Sequence, residues 1–144
     1  MLEIFYSLPL TPLHISVLLF TFYWIIKSDH AGFKWILGKS ETLKQTDLDK
    51  YHKFVFWGLL AMIATGLLLL AQKPYKIDDF NFKIKMFFVF CLFINAIIIG
   101  KLMNIAAEKS FKDISKSQKF KLILSGSVST FCWLGAFLSA TIFK

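Results

Sequence analysis

Long apolar runs separated by short lysine-bearing stretches set the pattern of this chain. Apolar positions dominate Thr11 to Ile26, Phe54 to Ala71, Met86 to Ala107 and Leu122 to Phe143. A hydrocarbon core roughly 30 Å thick takes about 20 mostly apolar residues per helical crossing, and each run approaches or reaches that length. The pattern predicts an all-α fold: an integral membrane four-helix bundle, antiparallel and up-down, with N and C termini outside. Residues 1–144 form a single transmembrane domain with spans at about 11–27, 53–72, 85–107 and 122–143.

Polar residues at the ends of the runs set the expected boundaries. In "LPLTPLHI", Thr11 suits a helix cap and Pro12 the first helical position, which puts His14 in the first turn. "KSDHAGF" reads as an exit, with Lys27 at the end of span one and Gly32 helping the chain turn. "TDLDKYHKF" starts the second helix ahead of its apolar stretch, with Thr46 as cap and Asp49 three residues on, so His52 lies on regular helix at the bilayer edge. "AQKPYKIDDFNFK" reads as a short external loop, and "EKSFKDISKSQKFK" as either an interfacial helix or a solvated loop. Gly58, Ala61, Thr65 and Gly66 in span two, and Ser125, Gly126, Ser129, Thr130, Gly135 and Ser139 in span four, read as close-packing faces. Lipid tails leave little hydrophobic force between helices, so small residues and hydroxyls hold them together.

Composition agrees with the pattern, since 56 % of the residues are hydrophobic and 17 % aromatic. The formal charge is +8, and all 17 basic residues are lysines. Without arginine the bidentate fork for phosphate or carboxylate is missing. No stacking module accompanies the lysines, so nucleic acid is not an expected partner; anionic headgroups of the lipid bilayer are. Lys27, Lys34, Lys39, Lys44, Lys50 and Lys53 flank the first connection, and Lys101, Lys109, Lys112, Lys116, Lys119 and Lys121 the third. The opposite side holds Lys73, Lys76, Lys83, Lys85 and Lys144. The positive-inside bias therefore places the two lysine-rich loops in the cytoplasm, with the protein multi-pass in the inner (cytoplasmic) membrane. Nothing basic precedes span one, Glu3 is acidic and no small-x-small site follows, so that span does not read as a cleaved signal peptide.

Candidate chemistry is sparse. Gly38, Lys39 and Ser40 imitate the end of a phosphate-binding loop, but five residues separate Gly32 from the Gly-Lys pair instead of four and no strand precedes it, so no nucleotide is expected. His14 and His30 are separated by about 24 Å on a continuous helix and cannot share a ligand. His30 and His52 fall at the same membrane edge. They read first as interfacial side chains together with Asp29, and second as a cofactor or metal site with Asp29 as partner or outer acceptor. His14 is either an interfacial side chain or a separate outer-leaflet ligand. Asn95 is expected to face another helix, with Ser125, Ser129 and Thr130 as candidate partners. Lys85 reads as a snorkelling side chain at the external edge, and Cys91 and Cys132 as small apolar packing residues.

"DHAGFKWILGK", the later His52 with "WGLLAMIATG", "KMFFVFCLFIN" and "SGSVSTFCWLGA" together resemble a family of small bacterial four-span membrane proteins of undetermined activity, over most of the chain. More distantly, Leu13-His14, Thr65-Gly66 and Lys85 are similar to positions in four-helix haem-associated membrane proteins, the membrane-bound protoporphyrinogen oxidases and the copper-resistance D-type family. Where the oxidases carry a histidine after that lysine, this chain has Asn95, and their arginine-rich segment after span one is absent. This resemblance implies haem b or a metal ion as cofactor.

Two functional classes follow. One is an accessory, non-enzymatic membrane module whose first loop, with Asp29, His30, Trp35, Lys39 and His52, contacts a membrane partner protein or a second copy. The other is a haem- or metal-binding redox protein using His30 and His52, with His14 as an outer-leaflet site.

Overall fold

The computed structural model describes residues 9–72 and 78–141, with side chains to Ser139. Glu3, Lys73, Lys76, Lys144, part of the expected external loop and the end of the fourth span lie outside the described residues. The described chain forms α1 (Leu10–Ile36), α2 (Gln45–Gln72), α3 (Phe80–Leu102), the short α4 (Asn104–Glu108) and α5 (Lys116–Thr141). Four helices, with α3 and α4 taken as one continuous stretch, are long and apolar enough to cross a membrane.

Helix boundaries follow local chemistry, at some positions that differ from those expected. α1 starts at Leu10 after Pro9, so Thr11 lies within the first turn and caps nothing. Pro12 still falls in that turn, where a missing N–H costs no hydrogen bond. α1 does not end at Lys27 but runs through "KSDHAGF", because a single glycine costs a helix only about 1 kcal/mol and Trp35 beyond it is anchored by packing. The turn comes at Gly38, with φ 69°. There the Gly38 amide donates to the Trp35 carbonyl at 3.0 Å and the Lys39 amide to the Lys34 carbonyl at 2.9 Å. This is a Schellman cap, and it explains the Gly-Lys pair without any ligand. α2 begins at Gln45, one residue before the expected cap Thr46. α3 is capped by Asp79, which accepts from the Asn81 amide at 3.0 Å. Ser115 and Gln118 form a reciprocal capping box at the start of α5, with bonds of 3.1 and 3.2 Å.

The contact register runs in opposite senses along neighbouring helices. His14 meets Thr65 and Thr21 meets Gly58 between α1 and α2, while Phe88 meets Gly135 and Asn95 meets Ser125 between α3 and α5. Three glycines let the helices approach by receiving a neighbour's side chain. Gly58 receives Thr21, Gly100 receives His52 and Gly135 receives Phe88. Seats of this kind link α1 to α2, α2 to α3, and α3 to α5. Leu59, Leu92, Ala96, Cys132 and Trp133 form the buried centre, with Leu18, Phe22 and Phe56 packed around it. Large apolar side chains such as Leu19, Phe87 and Phe131 point outward, as lipid-facing residues do.

A second apolar cluster closes one end. Trp35, Leu48, Ala106 and Ile114 are buried together. Trp35 donates its indole N–H to the Lys109 carbonyl at 3.0 Å, and the Leu43 amide donates to the Ala106 carbonyl at 2.8 Å. The Gln45 amide group bridges Asp49 and Asn104 at 2.8 and 3.0 Å. The two lysine-rich connections are therefore one folded unit at the same end of the bundle. Between the expected alternatives for the third connection, the structure shows the short α4 followed by a packed turn, with Phe111 edge-on to Trp35 at 5.2 Å.

Candidate functional site

One histidine with a hydrogen-bonded ring lies at the end opposite the Trp35 cluster. His14, in the first turns of α1, places Nδ1 2.7 Å from the Thr65 hydroxyl on α2. Thr65 is 8 % exposed, and its hydroxyl lies 2.8 Å from the Ala61 carbonyl one turn back. A carbonyl only accepts, so the single hydroxyl proton points at Ala61; the reverse orientation would set two lone pairs against each other at 2.8 Å. Thr65 must then accept from His14, which assigns the proton to Nδ1 and leaves the lone pair on Nε2. Gly66 beside it keeps ordinary van der Waals separation, 3.6 Å from His14 Cε1 to the place a Cβ would take. Lys85 is half-buried near the start of α3. The result is an imidazole with one nitrogen anchored to Thr65 and the other without a hydrogen-bond partner among the described residues. That arrangement suits a metal or haem iron ligand, or a proton acceptor.

His52 is placed differently. Its ring lies over Gly100 of α3, with Nε2 2.7 Å and Cε1 2.8 Å from where a Cβ would sit, and packs near Phe56 with centroids 6.0 Å apart. It fills an interhelical seat. His14 and Thr21 mark the α1 face turned to α2, and at seven-residue spacing that face continues at Ser28. His30 lies two residues later, about 200° round the helix, and is exposed on the side away from α2. The expected meeting of His30 and His52 is therefore not formed. Asp29 is also exposed. Among the described residues, no three His, Cys, Asp or Glu side chains are gathered as a metal-binding group, so Asp29, His30 and His52 are not such a set. His52 and Thr65 are separated along α2 by about 20 Å, so His14 and His52 are independent positions.

Asn95, 8 % exposed, donates from Nδ2 to the Ser125 carbonyl at 3.0 Å and accepts from the Ser125 hydroxyl at 2.7 Å. Thr130 instead donates to the Gly126 carbonyl within its own helix at 3.1 Å, and Ser129 is half-buried on α5. Of the expected contact surface, Trp35 is 3 % exposed and unavailable to a partner, whereas Lys39 is exposed. Sequence reasoning reached Thr65 and Gly66 as packing residues and Lys85 as a snorkelling side chain, and all three again through resemblance, but it had no means of pairing Thr65 with His14. The "SKSQ" cap is legible in the sequence as S-x-x-Q. No family model, curated protein or solved structure matches the chain.

Proposed function

We propose that this multi-pass membrane protein carries a ligand site for a metal-bearing, carboxylate-bearing cofactor of the haem b class, centred on His14 and not on the opposite edge. The observation that carries this reading is the Thr65 bond to Nδ1, which leaves Nε2 as the open donor, with Lys85 half-buried near the start of α3. The donor set fits the group: His14 would hold the iron and Lys85 a carboxylate. Haem would supply a one-electron redox centre. Thr65 keeps the imidazole in the required tautomer and orientation, and Gly66 keeps side-chain bulk away from the ring. The lysine bias supports an inner-membrane orientation with the Trp35 end in the cytoplasm.

Detergent-purified protein, titrated with haem and followed by visible absorption, tests the proposal. Wild type and His52→Ala are expected to develop the band, and His14→Ala to lose it. Thr65→Val is expected to weaken uptake roughly 10- to 100-fold, the usual cost of removing the group that orients a ligating histidine. A preparation that takes up neither haem nor metal would sink the proposal.

The second reading is an accessory module. It is favoured by the Trp35 cluster, which closes the lysine-rich end with its own residues and leaves Asp29, His30 and Lys39 outward as a surface for a membrane partner or a second copy.

A further inference from the structure

Cys91 and Cys132 face each other across the seam between α3 and α5. Phe88 seats on Gly135 and Asn95 pairs with Ser125 on the same seam, and this register brings Cys91 level with Cys132. Cys91 packs against the buried cluster that contains Cys132. Both are free and both line one apolar groove of about 470 Å³, whose walls include Phe87, Phe88 and Phe131. Phe87 and Phe131 are 63 % and 69 % exposed, so the groove opens to the lipid side of the bundle. Cys91 is half-buried at the groove, while Cys132 is buried behind it at 5 % exposure.

We propose that these residues form an intramembrane dithiol that reduces a lipid-soluble quinone and closes to a disulfide joining α3 to α5. The site is at the middle of α3, where a charged or water-soluble oxidant has no route. The groove has the size and aromatic lining that suit a planar apolar ring. Cys91, the accessible thiol, adds its sulfur to a ring carbon while its proton passes to a quinone oxygen. Cys132 sulfur then attacks Cys91 sulfur: the S–S bond forms, the sulfur–carbon bond breaks, and its electron pair returns to the ring. The Cys132 proton completes the hydroquinone. Two thiols and one quinone thus give one disulfide and one hydroquinone, and no net charge remains in the low-dielectric groove.

The test uses the full chain in lipid vesicles treated with decylubiquinone or, separately, glutathione disulfide, followed by intact-mass and peptide mapping. With decylubiquinone the expected result is loss of two hydrogens per chain, a Cys91–Cys132 linkage and one hydroquinone formed per chain. Glutathione disulfide is expected to leave both thiols alkylatable. Cys91→Ser and Cys132→Ser are each expected to lose the stoichiometric hydroquinone yield, with circular dichroism checking that the helices persist. Two free thiols after quinone treatment, a linkage only between chains, or equal oxidation by glutathione disulfide would each overturn the proposal. The wild-type mapping decides it even where a variant does not fold.

Discussion

Thr65 shows how much a single hydroxyl decides. Its one proton is committed to Ala61, and that commitment fixes the His14 tautomer, so the available nitrogen of the site is set by a backbone carbonyl four residues away. Asn95 has the same kind of determinacy, because its amide and carbonyl are both used by Ser125. Interhelical hydrogen bonds in membranes contribute about 0.6 kcal/mol on average and up to about 1.7. Asn95→Ala is therefore expected to lower stability within that range in a denaturing-detergent titration followed by circular dichroism. Thr130→Val, at an exposed hydroxyl bonded to its own helix, is expected to stay within about 0.5 kcal/mol of wild type. Equal losses for the two would remove the special role of Asn95.

At the scale of elements, the glycine seats carry the bundle geometry. A methyl group on Gly100 meets the His52 ring on α2, so Gly100→Ala must push the ring or spread the helices. Overpacking of this kind costs typically about 1–3 kcal/mol. Gly126 has nothing within 4 Å of an added Cβ, and Gly126→Ala is expected to be neutral or slightly stabilising, by less than about 1 kcal/mol. Thermal unfolding of the two variants side by side reads the difference, and indistinguishable midpoints would argue against the His52 seat. Small residues in spans two and four were legible as packing faces. Gly100 was not singled out, because its role depends on which residue of α2 arrives opposite, and register between helices is not written in either helix alone.

For the whole molecule, the two lysine-rich connections behave as one lid over the Trp35 cluster. The Lys112 side chain lies 3.8 Å from where a Cβ on Gly38 would sit, which shows how closely the connections meet. Their common location at one end is a structural fact; their cytoplasmic side is the orientation proposed from charge. With Cys91 and Cys132 replaced by serine, Lys39→Cys and Lys112→Cys are expected to react with a membrane-impermeant thiol reagent from the cytoplasmic side only. Labelling from the outside would reverse the orientation, and labelling of the two from opposite sides would contradict the folded lid.

Four apolar runs of spanning length determined the helical class and the number of crossings, because lipid demands internally satisfied backbone over a fixed thickness. Alternation of the four spans put both lysine-rich loops on one side, and charge bias supplied the side expected for them. Tertiary structure decided the pairings. It took His52 away from His30 and set it on Gly100, gave His14 to Thr65, brought Cys91 level with Cys132, and carried α1 through "KSDHAGF" to the cap at Gly38. The physical reason is common to all four. Hydropathy reports a residue's preference for lipid or water, whereas a site depends on helix rotation and register, which are set by side-chain packing between segments far apart in the chain.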